Sequence, residues 1–594
     1  MLSQRERRVA FLVLGIVLLS VLGAVAMVAS VMPFLTVLSD PLSVQSDPWL
    51  AWAYDRLGFE TTKGFLSFLG LCSLLVIVLA SALQIARVYV VARFSMMRVH
   101  TFSERLLAAY LGQPYHFFMT QHSDKLSTRI LVETEQVVKQ FLMPAIDFIA
   151  SSLTLLALIG FLVWLDPAIA LTAIAVLGIF YGLVFIGVRN WLQQLGKTRQ
   201  DANRARYRSV TEAISGAKEL KLLGRERDYH RRYLEPSQRM ARAVVSVQVI
   251  ANTPAVALQA FAFGGFVVLS LALIGPTALS TGEALADIIP LLGTVAFAGQ
   301  RMMPELSKVY NSAALIQANV VAVDAVHEDL AAFGGNGALP AQAQYGLPFR
   351  HELRLEDVSF VYDETSRAGL SDLCLSITTG EKIGIIGSTG AGKTTLADII
   401  LGLLRPRSGS IVVDGTQITE TNLRSWQRSV GYVPQEIYLI DSSIAENIAF
   451  GLALEDIDMD RVLDAARMAQ LEQLILEELP DGFATKVGER GVALSGGQRQ
   501  RIGIARALYN DAELIVFDEA TSALDTLTER EVMASIEALP GEKTVLIIAH
   551  RLSTVKSCDR ILVLEKGRIV AVGPWDELIE QNAAFREMVS VGSQ

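Results

Sequence analysis

The chain has 594 residues, of which 51% are hydrophobic, and its mean hydropathy of +0.39 is too apolar for a set of soluble globular domains. The same composition excludes a disordered or collagen-like chain. Its 61 acidic and 52 basic residues leave a net charge of −9, which provides no overall basic field and indicates that nucleic acid is not a partner.

Apolar segments long enough to cross a bilayer recur along the first half of the chain. A helix rises 1.5 Å per residue, so about 20 apolar residues are needed to cross about 30 Å of hydrocarbon. Such segments lie at about 9–37, 64–91, 141–165, 167–189, 246–274 and 285–305. We therefore predict an all-α transmembrane domain of six spans over residues 1–330.

The connections between these spans differ in charge. Lys and Arg are concentrated in the connections 92–140 and 190–245, whereas the connections after the third and fifth spans have none. Because basic connections stay on the cytoplasmic side, we expect both termini in the cytoplasm. The two basic connections are long and helix-permissive, which predicts helices that extend into the cytoplasm. Each is expected to bend once, around Gln121–Ile130 and Ile214–Gly224.

A short helix is predicted between the first two spans, on the outer side. Asp47 can cap its N-terminus, Pro48 suits the first helical position and Gly58 suits the position past the end. Trp49 and Trp52 favour the headgroup zone of a bilayer. Two hypotheses follow: the helix is an interfacial anchor, or it contacts a lipid substrate.

Residues 331–350 are rich in Gly, Ala, Pro and Gln and predict a linker, after which residues 351–594 alternate strands and helices. In this part a strand, a Gly-rich loop and a helix match the pattern G-x-x-x-x-G-K-[ST]. The loop consists of Gly387, Ser388, Thr389, Gly390, Ala391, Gly392, Lys393, Thr394 and Thr395. Its backbone N–H groups would surround phosphate oxygens, Lys393 would reach the β and γ phosphates, and Thr394 would ligate Mg²⁺.

Two further motifs carry chemistry in the same domain. The apolar strand 514–517 ends in Asp518 and Glu519, and a P-loop site needs an acid at a strand end for the Mg²⁺ shell. We assign that role to Asp518, and Glu519 is placed to deprotonate the attacking water; the alternative is a polar strand end. A second anion-binding helix start is predicted at Ser495, Gly496, Gly497 and Gln498.

Together these motifs resemble those of the ATP-binding cassette exporters, and the resemblance covers essentially the whole chain. It implies a six-helix transmembrane domain with long cytoplasmic extensions, fused to an α/β P-loop nucleotide-binding domain that hydrolyses ATP with Mg²⁺. By motif, it implies that Tyr362 stacks on adenine, that Gln435 senses and ligates the Mg²⁺, and that the catalytic His550 contacts the γ-phosphate. The segments Ser522–Asp525 and Thr485–Gly491 match the D-loop and X-loop of this family.

The resemblance also implies a dimer. In the family two nucleotide-binding domains close head to tail, so that Ser495, Gly496 and Gly497 of one chain complete the site built on Lys393 of the other. Each motif occurs once here, and we therefore expect a homodimer, with a heterodimer of related half-transporters as the alternative. The two cytoplasmic bends look like coupling helices.

The membrane half resembles bacterial flippases for lipid-linked oligosaccharides, which implies the bacterial inner membrane. The similar segments are Val31–Phe34, Ala92–Ser95, Ala217–Leu222 and Gln300–Pro304. In those flippases cavity arginines bind pyrophosphate; Arg301 matches one such position, whereas two others fall on Ala80 and Ala255. The alternative for Arg301 is a structural pair with Glu305, one helical turn on.

The expected function is ATP-driven flipping of an amphipathic lipid-linked substrate, with an oligosaccharide lipid as one candidate. Export of lipid A, phospholipid or drugs is the alternative within the same class. A nucleotide-gated channel or regulator is the alternative from another class, and the intact Glu519 and Ser495 argue against it.

Overall fold

The apolar half and the strand-rich half of the chain form separate units in the computed structural model. One unit comprises Met1–Gln113 and Thr120–Leu339, and the other comprises Pro114–Met119 and Pro340–Gln594. The unit boundary falls inside the segment predicted as a linker. The structure describes residues 4–165, 167–273, 283–333, 339–341, 343–362, 368–488, 491–520, 526–549 and 551–592.

The first unit is helical throughout most of the residues that the structure describes. Its helices are Gln4–Ser39, Ser43–Ser46, Pro48–Arg56, Thr62–Leu111, Ser123–Thr128, Thr134–Val137, Met143–Leu165, Pro167–Ser215, Ala217–Leu223, Glu226–Leu273 and Glu283–Phe333, with π-helical turns at Arg129–Glu133 and Val138–Leu142. Each predicted span lies in one of the long helices, apart from residues 141–142, which are in a π-helical turn, and residue 274, which is outside the described residues. The last helix continues to Phe333, so the first residues of the predicted linker are helical.

Among the described residues, four helical stretches are long and apolar enough to cross a membrane. These are Gln4–Ser39, Thr62–Leu111, Ser123–Leu165 and Ala296–Phe333. Many of their apolar side chains, including Leu22, Leu75 and Leu156, are exposed on the helix surface. Such exposure is unfavourable in water but suits contact with lipid tails.

The short helix Pro48–Arg56 forms with the caps that the sequence predicts. Asp47 is the N-cap, and its Oδ1 accepts hydrogen bonds from the backbone N–H groups of Trp49 (2.8 Å) and Leu50 (3.4 Å). Pro48 occupies the first turn, and Gly58 follows the helix with φ of +69°. The helix therefore begins and ends where its capping residues dictate.

The two predicted bends differ in how well the sequence located them. The second, Ala217–Leu223, lies within the predicted range and ends at Gly224, whose φ of +62° closes the helix. The first begins at Gly112, earlier than predicted, and contains the short helix Tyr115–Thr120. The earlier start follows from Pro114, because the residue before a proline is disfavoured in the helical region.

The second unit contains ten strands in the described residues. They are β1 Glu352–Val361, β2 Ala368–Thr378, β3 Lys382–Gly387, β4 Ser408–Val413, β5 Thr416–Gln417, β6 Val430–Val433, β7 Leu514–Asp518, β8 Thr544–Ile548, β9 Arg560–Glu565 and β10 Arg568–Gly573. β2, β1, β4 and β5 form an antiparallel sheet, and β10, β9, β3, β8, β7 and β6 form a second sheet in that order.

Helices cover the strands of the second sheet. They are Lys393–Ile400, Leu423–Ser429, Ile444–Ile448, Met459–Met468, Gly496–Tyr509, Thr526–Glu537, Leu552–Val555, Trp575–Gln581 and Ala583–Gly592, with shorter turns at Leu454–Asp456, Leu474–Glu478 and Gly482–Ala484. β7 and β8 are buried along their whole length, as expected for parallel strands covered on both faces. Because β6, β7, β8, β3 and β9 run parallel, their carboxyl ends meet at one edge, where α/β sheets bind ligands.

Candidate functional site

The Gly-rich loop follows β3 at the carboxyl edge of the sheet and leads into the helix Lys393–Ile400. Gly390 and Gly392 have φ of +79° and +103°, a region that favours glycine. A Cβ on Gly392 would lie 2.8 Å from the carbonyl oxygen of Gly369, so a larger residue would clash there. Ser388, Thr389, Gly390 and Thr394 are exposed, whereas Ala391, Lys393 and Thr395 are buried. The loop thus presents backbone groups and the Thr394 hydroxyl to the outside.

Lys393 is folded back onto its own loop. Its Nζ donates hydrogen bonds to the carbonyl oxygens of Gly387 (2.8 Å) and Ser388 (3.2 Å). Burial lowers the pKa of this amine, and the negative charges of Glu519 and Asp518 oppose that shift. The lysine and the two strand-end carboxylates, distant in sequence, therefore occupy one electrostatic site.

The acid pair lies at the end of β7, two strands from the loop. Asp518 is paired in register with Ile548 of β8 and is only 7% exposed. Glu519 has φ of +51°, and its backbone N–H donates to the carbonyl oxygen of Ile548 at 3.0 Å. A non-glycine residue in this region is strained, and such strain is concentrated at functional sites.

Tyr362 contacts the helix behind the loop. Its hydroxyl and the Thr395 Oγ1 are 2.7 Å apart, and its ring packs edge-on against Phe360 with centroids 4.9 Å apart. The carbonyl oxygen of Tyr362 lies 3.1 Å from Nε2 of His116, a residue of the segment that belongs to this unit. The structure thus brings Tyr362 to the loop.

Gln435 and the second helix start occupy the same unit. The Gln435 carbonyl oxygen accepts a hydrogen bond from Nε2 of Gln500 at 2.9 Å. Ser495 and Gln498 form a capping box, in which the Gln498 N–H donates to the Ser495 hydroxyl and the Ser495 N–H donates to the Gln498 side chain. Gly496 and Gly497 follow at the start of the helix Gly496–Tyr509. His550 and Ser522–Asp525 lie outside the described residues, as do two residues of Thr485–Gly491.

Sequence reasoning missed two residues near Asp518. Asp398, in the helix after the loop, is 6% exposed, and burial, followed by the charge of Asp518, raises its pKa to about 6. The hydroxyl of Tyr432, on β6, donates to Oδ2 of Asp518 at 3.4 Å. The signal was an acid inside the apolar run 396–400, because burying a carboxyl among apolar residues costs free energy unless it is paired.

The membrane unit places Arg301 in a polar cluster. Nη2 of Arg301 donates to Oε1 of Gln84 at 2.9 Å, and the guanidinium lies 3.7 Å from the carboxylate of Glu305. The Arg301 side chain is 16% exposed. The pair with Glu305, the structural alternative for Arg301, is therefore present. On the helix Pro48–Arg56, Trp49 and Trp52 are 81% and 64% exposed, whereas Leu50 is 8% exposed.

A Gly-rich phosphate loop beside a strand-end acid pair, in a chain with apolar membrane-length helices, defines a membrane-spanning nucleotide-binding protein. Two family descriptions match this chain: "ABC transporter transmembrane region" over residues 12–289 and "ABC transporter" over residues 370–522. The chain belongs to the ABC transporter family, and it is an ATPase coupled to movement of a substance across a membrane. The resemblance to the ATP-binding cassette exporters and the predicted fold class are confirmed.

Similar proteins are known from several bacteria. A protein of Ralstonia nicotianae named ATP-dependent lipid A-core flippase is 33% identical over 81% of this chain and 79% of its own length. Proteins of the same name are 32% identical in Alkalilimnicola ehrlichii, over 84% of this chain and 83% of theirs, and 30% identical in Pseudomonas aeruginosa, over 85% and 81%.

The fold also has a structural neighbour. The structure of a bacterial Atm1-family ABC exporter with ATP bound matches with a TM-score of 0.75 and 24% identity, over 99% of this chain and 98% of that chain. At this identity the match establishes the fold alone.

Proposed function

We propose that this ABC exporter flips a phosphorylated glycolipid of the lipid A-core class across the bacterial inner membrane. The observation that carries the proposal is the similarity to proteins named ATP-dependent lipid A-core flippase over about four-fifths of both chains (81% and 79% for the first). A lipid-linked oligosaccharide is the second candidate, favoured by the Arg301 position. Both substrates join an anionic phosphorylated headgroup to a long apolar part.

The chemistry would take place at the carboxyl edge of the second sheet. The loop amides from Gly387 to Thr395 and the Lys393 amine would bind the ATP phosphates. Glu519, with Gln435 and His550, would orient and deprotonate the attacking water. Support comes from the electrostatic proximity of Lys393, Asp518 and Glu519. Tyr362, beside the loop, would contact adenine.

The oxygen donors of this site fit Mg²⁺. Thr394 presents an exposed hydroxyl, Asp518 supplies a nearly buried carboxylate, and Gln435 supplies an amide oxygen. Mg²⁺ prefers such hard oxygen ligands together with phosphate oxygens. When bound, the ion would neutralise charge that develops on the phosphates.

The active form would be a homodimer. Ser495, Gly496, Gly497 and Gln498 open a helix whose N–H groups can bind an anion. In the head-to-tail arrangement of the family they would complete the ATP site of the partner chain. The chain has one copy of each motif, which supports two chains in each transporter. The two identical ATP sites would open and close together as the membrane units alternate access between the two sides of the membrane.

Substrate contact would involve two places in the membrane unit. Arg301 is a cation on a helix that is apolar enough to span the membrane, where charged groups are unfavourable and commonly functional. Trp49 and Trp52 would interact with headgroups or lipid tails at the outer surface. The basic connections support a topology with both termini and the nucleotide-binding unit in the cytoplasm.

A flipping assay with the purified protein in proteoliposomes tests the proposal. Fluorescent lipid A-core, lipid-linked oligosaccharide and phospholipid are compared, and the outer-leaflet fraction is measured by chemical quenching after ATP addition. We expect the lipid A-core substrate to move fastest and Glu519→Gln to abolish its movement. Faster movement of the oligosaccharide lipid would favour the second candidate. Preference for phospholipid, or an ion current without hydrolysis, would overturn the assignment.

A further inference from the structure

Tyr432 and Asp398 lie beside the acid at the end of β7, and the sequence motifs assign neither of them a role. Tyr432 is on β6, which pairs with β7 in parallel register, so that Tyr432 lies opposite Val516, close to Asp518. Its hydroxyl donates to Oδ2 of Asp518 at 3.4 Å. Three residues further along the chain is Gln435, so this contact joins the segment of Gln435 to the strand of Asp518.

Asp398 faces the same pair from the helix that follows the phosphate loop. It comes one turn after Thr394 and Thr395, which places the three side chains on neighbouring positions of one helix surface. Its carboxyl interacts electrostatically with Asp518 and Tyr432. The helix Lys393–Ile400 packs against β7, the strand that ends in Asp518, so Asp398 and Asp518 are far apart in the sequence and close together in the fold.

The burial of Asp398 calls for an explanation other than stability. The residue is 6% exposed, and its burial is the largest influence that raises the pKa of its carboxyl. Burying an ionisable carboxyl costs free energy unless partners compensate for it. Two carboxyls close together also repel each other when both are ionised. A divalent cation bound at Asp518 would relieve this repulsion.

We propose that Tyr432 and Asp398 are positioning residues for Asp518, and that they raise the affinity of the nucleotide site for its divalent cation. The Tyr432 hydroxyl fixes the orientation of the Asp518 carboxylate, as residues outside the ligand set do in metal sites. Asp398 adds negative charge next to the ligand without contacting the ion. The inference rests on the proposed role of Asp518 as a metal ligand.

The test measures cation binding directly, with the full-length protein in detergent. Mn²⁺ affinity in the presence of ADP is measured by electron paramagnetic resonance for the native protein, Tyr432→Phe and Asp398→Asn. We expect each variant to bind Mn²⁺ about tenfold more weakly, with unchanged ADP affinity in EDTA. Asp398→Glu keeps the charge and is expected to recover part of the affinity.

Tyr509→Phe is the matched control. It also removes a tyrosine hydroxyl of this unit, one that accepts a hydrogen bond from the Asp458 N–H at 3.1 Å, away from the phosphate loop. We expect its Mn²⁺ affinity to be unchanged. Thermal unfolding in EDTA reports whether each variant is folded; Tyr432→Phe keeps the ring, so it tests the proposal even if Asp398→Asn fails to fold.

Asp518→Asn distinguishes failure of the metal-ligand assignment from failure of the positioning role. If it leaves Mn²⁺ affinity unchanged, the proposed metal ligand is wrong. If it weakens Mn²⁺ binding while Tyr432→Phe and Asp398→Asn bind as the native protein does, the ligand stands and the positioning role is overturned.

Discussion

The hydroxyl of Ser151 donates a 2.6 Å hydrogen bond to Oε2 of Glu305, and both residues are completely excluded from solvent. The two residues lie on different helices, Met143–Leu165 and Glu283–Phe333. Glu305 also lies 3.7 Å from Arg301 and 3.9 Å from the Lys308 amine. A buried carboxylate in the membrane unit is thus held by one hydroxyl and two cations.

Ser151→Ala is expected to destabilise the membrane unit by about 1–3 kcal/mol, because it removes a hydrogen bond from a buried charged group. The measurement is the thermal unfolding temperature in detergent. Ser67→Ala is the control, since Ser67 is exposed and its hydroxyl donates to a carbonyl of its own helix. Equal unfolding temperatures for the two variants would contradict the prediction.

Arg301→Ala separates a substrate role from a structural one. If Arg301 binds an anionic headgroup, stimulation of ATP hydrolysis by substrate should fall about tenfold, since a charge-assisted hydrogen bond contributes about 1.5–3 kcal/mol. Basal hydrolysis should be unchanged. Gln84→Ala removes the neighbouring hydrogen bond but keeps the cation, and it serves as the control. Normal flipping by Arg301→Ala would show that Arg301 has only a structural role, as the partner of Glu305.

Glu519→Gln and Lys393→Ala should have different effects on the nucleotide site. Removal of the base is expected to lower turnover at least about a hundredfold while ATP remains bound. Lys393→Ala should instead weaken ATP binding, because the amine neutralises phosphate charge. Hydrolysis and equilibrium binding are measured for both variants. Near-native hydrolysis by Glu519→Gln, or native affinity of Lys393→Ala, would refute the respective role.

Because the pKa of Asp398 is raised in the folded protein, we expect the stability of the protein to depend on pH. Burial, and then the charge of Asp518, raises its pKa from 3.8 to about 6. Since the folded-state pKa exceeds the unfolded-state value, the stability that protonated Asp398 contributes is fully present below about pH 4 and is lost as pH rises through about 6. Its size is at most about 3 kcal/mol, at about 1.4 kcal/mol for each pKa unit.

Asp398→Asn should therefore raise the unfolding temperature at pH 8 more than at pH 5, measured by calorimetry in EDTA. Asp372→Asn is the control, because Asp372 is exposed on the surface of the same unit. If the unfolding temperature of Asp398→Asn differs between pH 5 and pH 8 as much as that of the native protein does, the pH dependence does not come from Asp398.

The Trp49 and Trp52 side chains distinguish an anchor from a lipid contact. If they only anchor the outer helix, Trp49→Ser with Trp52→Ser should lower the stability of the membrane unit in liposomes. If they contact the substrate, flipping of long-tailed lipids should fall several-fold while stability and basal hydrolysis are kept. Normal flipping by a stable double variant would exclude the lipid contact.

Local patterns in the sequence located many elements of the structure. The Asp47 cap, the helix after Pro48 and the strand before Gly387 follow from neighbouring residues, since caps, turns and apolar periodicity act over a few positions. The first bend begins earlier than the sequence predicts, because Pro114 disfavours the helical conformation in the residue before it. The last helix extends past the predicted boundary because Ala331 and Ala332 favour helix as well as linker.

The sequence by itself determined the family, the two kinds of unit and the contiguous phosphate loop, because each depends on residues adjacent in the chain. Only the tertiary structure decided that Ser151 binds Glu305 and that Gln84 binds Arg301. It likewise brought Tyr432 to Asp518. These contacts join residues that are remote in sequence, and their distances depend on strand order and helix packing, which no local pattern encodes.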